Sequence, residues 1–206
     1  MKKENQNIVT VVLAAGASTR MRSPKQLLNW GGNSTLLEHT LNTVLELNSL
    51  EVVVVLGANF EIIQSEIYKY PVTVLNNTSW KVGLGKSIAV AVEYIQKLNY
   101  KVDGVMIVLA DQPLIDSRFL GELYNAFNPN NNQIITTSYK NGKRGVPVIF
   151  DKYYFEELML LNDDDGAKTL LKTYANSVNS LKPQFENLDI DSKEDYNYLH
   201  KEIFKK

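Results

Sequence analysis

Short apolar runs rich in β-branched residues alternate with longer stretches whose apolar positions recur every three to four residues, and this alternation covers most of the chain. Ile8 to Leu13 is a continuous apolar, β-branched run, the pattern of a strand covered on both faces, and its early place predicts a central strand. Thr35 to Leu47 carries apolar residues at helical spacing, with Ser34 or Thr35 as the expected N-cap. Glu51 to Leu56 reads as a second buried strand ending at Gly57, Phe60 to Tyr68 as a short helix, and Val72 to Leu75 as a third strand. Ser87 to Leu98 sets Ile88, Val92 and Ile95 at helical intervals. Gly104 to Ala110 is a fourth strand, its end marked by Asp111-Gln112-Pro113, and Asp116 caps a helix to about Phe127.

The second half breaks the pattern once. Ile134 to Ser138 is followed by Asn141-Gly142, a strong hairpin signal, and then by Val146 to Phe150, so an antiparallel pair is expected there. Tyr153 to Leu161 and Ala167 to Tyr174 read as helices around the acidic turn Asp163-Asp164-Asp165-Gly166. A late strand precedes Asp189-Ile190-Asp191, and Ser192 with Asp195 resembles a capping pair for a last helix to about Phe204. Asn128 to Asn132 is too short for a domain linker. The expectation is an α/β fold over residues 1–206 as one domain: a mostly parallel sheet, helices on both faces, and an antiparallel excursion in the second half.

Composition narrows the partners. The 206 residues are 44% hydrophobic, enough to fill one core, and a net charge of −1 leaves no global field for a nucleic-acid backbone. With no cysteine, neither a disulfide framework nor a thiolate metal site can form. Met1 to Asn7 is polar and lacks the apolar core of a signal peptide, and no apolar run is long enough to cross a bilayer. A cytoplasmic protein without membrane or nucleic-acid partners is expected.

Ligands of such sheets sit beyond the carboxyl ends of the strands, where every polar loop of interest falls. Val11 to Lys25 empties an apolar strand into small residues and then brings Arg20, Arg22 and Lys25. Small side chains let backbone N–H groups approach an anion, and the cations supply the charge that a polyphosphate needs. Simple solvation accounts for Arg22 better than for Arg20 or Lys25. The loop has neither the Gly-Lys-Ser/Thr ending of a Walker A motif nor Gly-x-Gly-x-x-Gly, which disfavours a dinucleotide-dependent oxidoreductase.

Asp111 stands at a strand end with no adjacent basic residue, so a hard divalent cation such as Mg²⁺ is its expected partner. Asp191, read as ending the last strand, is the natural second ligand. The alternatives are a turn into Pro113 and a neighbour of a helix cap. Gly83-Leu84-Gly85-Lys86-Ser87 offers either amides for a nucleotide or common turn chemistry. Asp163 to Asp165 reads as a solvated acidic turn, lacking calcium-loop spacing. His39 and His200 read as surface or partly buried helix residues, Trp30 and Trp80 as packing residues or, for Trp80, as part of a pocket.

Taken together, these residues resemble the nucleotidyltransferases that finish the molybdenum cofactor, the cytidylyltransferases in particular. The pattern Leu-Ala-Ala-Gly-x-Ser-x-Arg-Met-x-x-x-Lys is met by Leu13 to Lys25 with one extra residue before the lysine. The resemblance continues through Leu56-Gly57, Asn77-x-x-Trp80-x-x-Gly83-Leu84-x-x-Ser87, Asp111-Gln112-Pro113, Arg144-Gly145-x-Pro147 and Asp189-Ile190-Asp191. It implies a three-layer, Rossmann-like nucleotidyltransferase fold. It also implies that Leu13, Ala14, Ala15, Gly16, Asn77, Gly83 and Ser87 bind substrate, that Arg20 and Lys25 hold the triphosphate, and that Asp111 and Asp191 hold Mg²⁺; Lys25, Arg20 and Asp111 would carry catalysis. Ala14-Ala15 resembles the CTP-using branch, since the GTP-using branch usually has Ala-Gly there. The terminal phosphate of molybdopterin would attack the α-phosphorus in line and release pyrophosphate, and the product would pass in a transient contact to a molybdenum hydroxylase or its accessory protein.

Three departures stand against the family pattern. Val146 replaces the usual His, Lys168 closes a segment that usually reads Gly-Asp-x-Gly-Ala-Arg, and Ser192-Lys193 replaces Thr-Pro. The first two fall in the half expected to receive the acceptor. A GTP-using guanylyltransferase, a sugar-phosphate nucleotidyltransferase and a non-catalytic nucleotide-binding protein that delivers cofactor are the alternative readings.

Overall fold

The computed structural model describes residues 6–21, 23–140, 142–185 and 188–204. In chain order the elements are β1 (Ile8–Leu13), α1 (Leu36–Leu45), β2 (Glu51–Leu56), α2 (Phe60–Ile67), β3 (Thr73–Asn76), α3 (Leu84–Ile95) and β4 (Gly104–Leu109). Then follow α4 (Ser117–Ala126), β5 (Ile134–Ser138), β6 (Arg144–Asp151), α5 (Phe155–Met159), α6 (Lys168–Thr173), β7 (Val178–Leu181) and α7 (Lys193–Phe204). The strands form one sheet in the order β3-β2-β1-β4-β6-β5-β7. β1 pairs in parallel with both β2 and β4, and all six of its residues are buried, as the unbroken apolar run predicts. β6 runs antiparallel to β4 and β5, while β7 is parallel to β5. The excursion is therefore a single reversed strand.

Alternate residues of the sheet feed two cores, which makes three layers. Ile8, Val12, Val54 and Met106 pack with Leu37 and Leu41 of α1, Ile63 of α2 and Phe119 of α4. Val9, Val11, Val53 and Ile107 pack on the other side with Val92 of α3, Leu158 of α5 and Leu171 of α6. Truncating a fully buried leucine such as Leu37 to alanine costs about 2–5 kcal/mol in cores of this kind.

Local rules fix the element ends. Thr35, and not Ser34, caps α1: its side chain accepts from the Glu38 amide at 3.2 Å, and the Glu38 carboxylate accepts from the Thr35 amide at 2.8 Å. Asp116 caps α4 through the Phe119 amide at 2.8 Å. α3 begins at Leu84, three residues before the expected start, because Gly83 at φ +130° makes the break there. The β5–β6 hairpin forms as expected, with Gly142 at φ +74°; Asn141 and Arg22 lie outside the described residues. Ser192 and Asp195 cap α7 reciprocally, at 2.8 and 3.1 Å.

One expectation fails. β7 ends at Leu181, so Asp191 does not end a strand. Asp189 to Asp191 instead lie in a non-ladder segment tied to the end of β4 by the Ile190 amide, which donates to the Asp111 carbonyl at 2.9 Å. A small third core holds that segment in place: Ile190 and Leu199 pack with Met21, Trp30 and Leu36. Trp30 meets the rings of His200 and Phe204 edge-on at 6.1 and 5.5 Å. Among the described residues, no helix is long and apolar enough to cross a membrane.

Candidate functional site

The loop after β1 is folded by side-chain and backbone bonds that leave little freedom. The Ala14 amide donates to the Val55 carbonyl at 2.9 Å, and the Ala15 carbonyl accepts from the Ala58 amide at 3.0 Å. The chain then turns through Ser18, at φ +54°, and returns so that Lys25 opens a short 3-10 turn. Gln26, only 2% exposed, donates from Nε2 to the carbonyls of Ala14 and Gly16 at 2.8 and 3.0 Å.

Lys25 and Asp111, separated by 86 positions, meet at this point. Lys25 Nζ donates to Asp111 Oδ2 at 2.6 Å, to the Ile190 carbonyl at 3.0 Å and to Asp191 Oδ1 at 3.3 Å. Arg20 Nη2 lies 3.2 Å from Asp191 Oδ2 with its own side chain 68% exposed, so that outer pair adds little to stability. Burial disfavours the charged ammonium of Lys25, but Asp111 and then Asp191 outweigh it and hold its pKa above the ordinary lysine value. The absence of a neutralising base beside Asp111 is thus true of the sequence and not of the fold: Lys25 neutralises it.

The carboxylates retain capacity for a cation. Asp111 Oδ1 is buried with no hydrogen-bond partner among the described residues. Two carboxylates with unused lone pairs are a donor set that suits a hard divalent cation; no group of three or more His, Cys, Asp or Glu suited to a metal occurs among the described residues. Asp189 lies beside this pair. Burial pushes its carboxyl above the usual range, the hydrogen bond from Gln112 opposes this, and Asp111 and Asp191 add to the rise. Gln112 Nε2 holds Asp189 Oδ1 at 2.8 Å.

Two cavities adjoin the centre. The smaller, of about 400 Å³, is lined by Leu13 to Gly16, Lys25, Trp80, Gly83, Ser87 and Asp111, so it gathers most of the residues singled out in the sequence. Asn77 is not on its wall. It is 1% exposed and bonds from Nδ2 to Ser87 Oγ at 3.0 Å, standing behind the residue that does line the cavity.

The glycine loop carries less free donor capacity than the sequence offers. The Gly83 amide bonds to the Trp80 carbonyl at 3.3 Å and the Gly85 amide to the Asp163 carbonyl at 2.8 Å. A Cβ on Gly83 would lie 2.5 Å from the Asp163 carbonyl oxygen, so the glycine is needed for the close approach of the acidic turn. That turn is exposed, as expected, and Asp164 borders the smaller cavity and Asp165 the larger.

The larger cavity, of about 970 Å³, shares Leu13, Leu84 and Leu109 with the smaller. Lys140, Lys143, Arg144, Lys168 and Lys182 surround an apolar floor that includes Ile88, Val148 and Leu171. Val146 and Lys168, the two departures in the half expected to receive the acceptor, both line it. His39 bonds to the Pro113 carbonyl at 3.0 Å and His200 packs on Trp30, so neither serves the centre. Gln26 and Gln112 escaped the sequence reading as site residues. Gln112 sits within the Asp-Gln-Pro motif, which was a usable signal; Gln26 bonds only to backbone and Ser18, which leaves no pattern in the sequence.

Residues 10–178 match the MobA-like NTP transferase domain, and the chain belongs to that family. Nicotine blue oxidoreductase of Paenarthrobacter nicotinovorans is 30% identical over 173 residues, covering 80% of this chain and 81% of that protein. Rv0371c of Mycobacterium tuberculosis H37Rv, solved in complex with manganese, is 25% identical with a TM-score of 0.80, over 96% of this chain and 100% of that one. A nucleotidyl transferase from Methanothermobacter is 19% identical and shares the fold at a TM-score of 0.82, over 98% and 99% of the two chains. Asp189 and Asp191 lie beyond the family match, so their place at the centre rests on the geometry alone.

Proposed function

We propose that this member of the MobA-like family transfers CMP from CTP to the terminal phosphate of the molybdopterin cofactor, with release of pyrophosphate. One observation carries the reading: Lys25 reaches Asp111 at 2.6 Å and Asp191 at 3.3 Å beside a loop of small residues. In this reading Leu13, Ala14, Ala15 and Gly16 face the nucleotide with Gly83 and Ser87, and Asn77 orients Ser87 from behind. Arg20 and Lys25 bind the triphosphate, and Asp111 and Asp191 hold Mg²⁺. The metal, when bound, supplies charge neutralisation on the reacting and leaving phosphates. Lys25 and the loop amides keep the triphosphate in register for in-line attack, a reaction that needs positioning and charge more than a protein nucleophile.

CTP is preferred to GTP because of Ala14-Ala15. The acceptor belongs in the larger cavity, whose cationic rim suits an anion and whose apolar floor suits a flat ring. The product would then be handed on in a transient contact with a molybdenum hydroxylase or its accessory protein in the cytoplasm. A second reading, another phosphorylated acceptor such as a sugar phosphate, is favoured by Val146 and Lys168 on that cavity wall.

The test is pyrophosphate release by the purified protein with Mg²⁺, each nucleoside triphosphate in turn, and molybdopterin or sugar phosphates as acceptors. Release with CTP and molybdopterin alone supports the first reading; release only with sugar phosphates supports the second. CTP binding without release in any mixture favours a delivery protein. Redox turnover of nicotine blue in its place would favour the activity named in the Paenarthrobacter relative.

A further inference from the structure

We infer that Gln26 is the positioning residue that sets the loop after β1 in its anion-receiving shape; this rests on the reading that the loop meets a polyphosphate. The Gln26 side chain is 2% exposed, yet all the bonds it makes are to one loop. Nε2 spends its two protons on the carbonyls of Ala14 and Gly16, and Oε1 accepts from Ser18 Oγ at 3.3 Å. Ser18 Oγ in turn accepts from the Lys25 amide at 3.0 Å. One amide group therefore ties both ends of the loop, the small-residue start and the lysine.

Peptide geometry converts those bonds into donor direction. In a trans peptide the N–H points opposite the carbonyl of the preceding residue, and the one cis bond found among the described residues is Val146-Pro147. With the Ala14 and Gly16 carbonyls turned onto Gln26, the amides of Ala15 and Ala17 turn away from it. No hydrogen bond engages either amide among the described residues. Two N–H groups turned the same way, on either side of Gly16, offer donors to one anion.

Gly16 leaves room for the same use. An added Cβ there would meet nothing within 4 Å, whereas Gly57, Gly83 and Gly85 would each clash with neighbouring atoms. The fold does not require a glycine at position 16, and the open space above it is available to a ligand. The two nearest side chains do not replace Gln26: glutamate would set acceptors against two carbonyls, and asparagine is one methylene short.

The experiment is isothermal titration of inorganic tripolyphosphate, CTP and cytidine into the wild-type protein and into Gln26→Ala, with thermal melting alongside. Gln26→Ala should weaken tripolyphosphate and CTP by about tenfold or more, the scale of one to two lost hydrogen-bond positions, and leave cytidine unchanged. In turnover, KM for the triphosphate should rise with kcat little changed, because the loop holds the phosphates in ground and transition state alike. Wild-type affinity for tripolyphosphate in Gln26→Ala overturns the inference, as does equal loss for cytidine and CTP. Should Gln26→Ala not fold, Ser18→Gly decides: glycine accepts φ +54°, and loss of the Oγ link should weaken tripolyphosphate by about threefold. Unchanged binding in Ser18→Gly overturns the inference. Gln26-dependent tripolyphosphate binding by a protein that transfers no nucleotide keeps this inference and removes the proposed function; a wild-type protein that binds neither CTP nor tripolyphosphate removes both.

Discussion

The two cavities at the carboxyl ends of the strands are built by opposite means. The smaller is walled by backbone and short side chains whose hydrogen bonds run to Gln26, Val55 and Ala58, and its one buried cation is already held by two carboxylates. The larger is rimmed by long cationic side chains on the β5–β6 hairpin and α6. The first wall is set by the backbone, and fixed amides act without reorganisation, whereas the second takes its charge from side chains that reach in from separate elements. A wall built of backbone and a wall built of side chains should respond to substitution independently.

The sharpest way to break this comparison is Asp111→Asn. Loss of the charge that holds Lys25, and in the proposed function the metal, should lower transfer by about a thousandfold or more and lower the melting temperature at neutral pH with the fold retained, as measured by pyrophosphate release and calorimetry. Near-normal turnover would remove the pre-set centre altogether. Lys25→Met should raise KM and lower kcat for CTP by a combined factor of about 100. In the nucleotide-free protein the same change should tighten Mn²⁺ binding, read by electron paramagnetic resonance, because the ammonium no longer competes for Asp111 and Asp191.

Two glycines separate binding from folding within the smaller cavity. Gly16→Ala should melt like wild type and lose CTP affinity, while Gly83→Ala, at φ +130° with its Cβ 2.5 Å from the Asp163 carbonyl oxygen, should lose stability by about 1–3 kcal/mol. For the larger cavity, Lys168→Ala should raise KM for the acceptor about threefold to tenfold and leave the CTP dissociation constant unchanged. A matching loss for CTP would show that the two walls are not independent.

The smallest effect is on pH. The raised pKa of Lys25 means that its contribution to stability is whole below the ordinary lysine value and fades only as pH rises through the raised one. Melting temperature should therefore carry no Lys25 contribution to its pH dependence around neutrality, and the alkaline decline should be smaller in Asp111→Asn, where the carboxylate that chiefly raises the Lys25 pKa is gone.

Legibility in the sequence followed locality. β1, β2 and β5 have the bounds that their apolar runs predict, and the Thr35 and Asp116 caps needed only neighbours three residues away. The α3 start was hidden because one glycine at positive φ moves a helix end without changing the hydrophobic period. Asp191 was assigned to a strand because an acidic residue after an apolar one looks the same whether or not a ladder partner exists. The Lys25–Asp111 pair joins loops from β1 and β4, and only the parallel register that sets those strands side by side brings them together. Resemblance could flag both residues; it could not show that each is the other's counter-ion.

The chain's two tryptophans stand in different surroundings: Trp30 is packed in the aromatic cluster that seats α7, and Trp80 lines the smaller cavity beside Lys81. Intrinsic emission is consequently divided between two reporters. Replacing either indole with phenylalanine would leave a single-probe protein, one signalling release of the final helix and the other signalling occupancy, so that docking and loading could be timed separately in a stopped-flow trace without any attached dye.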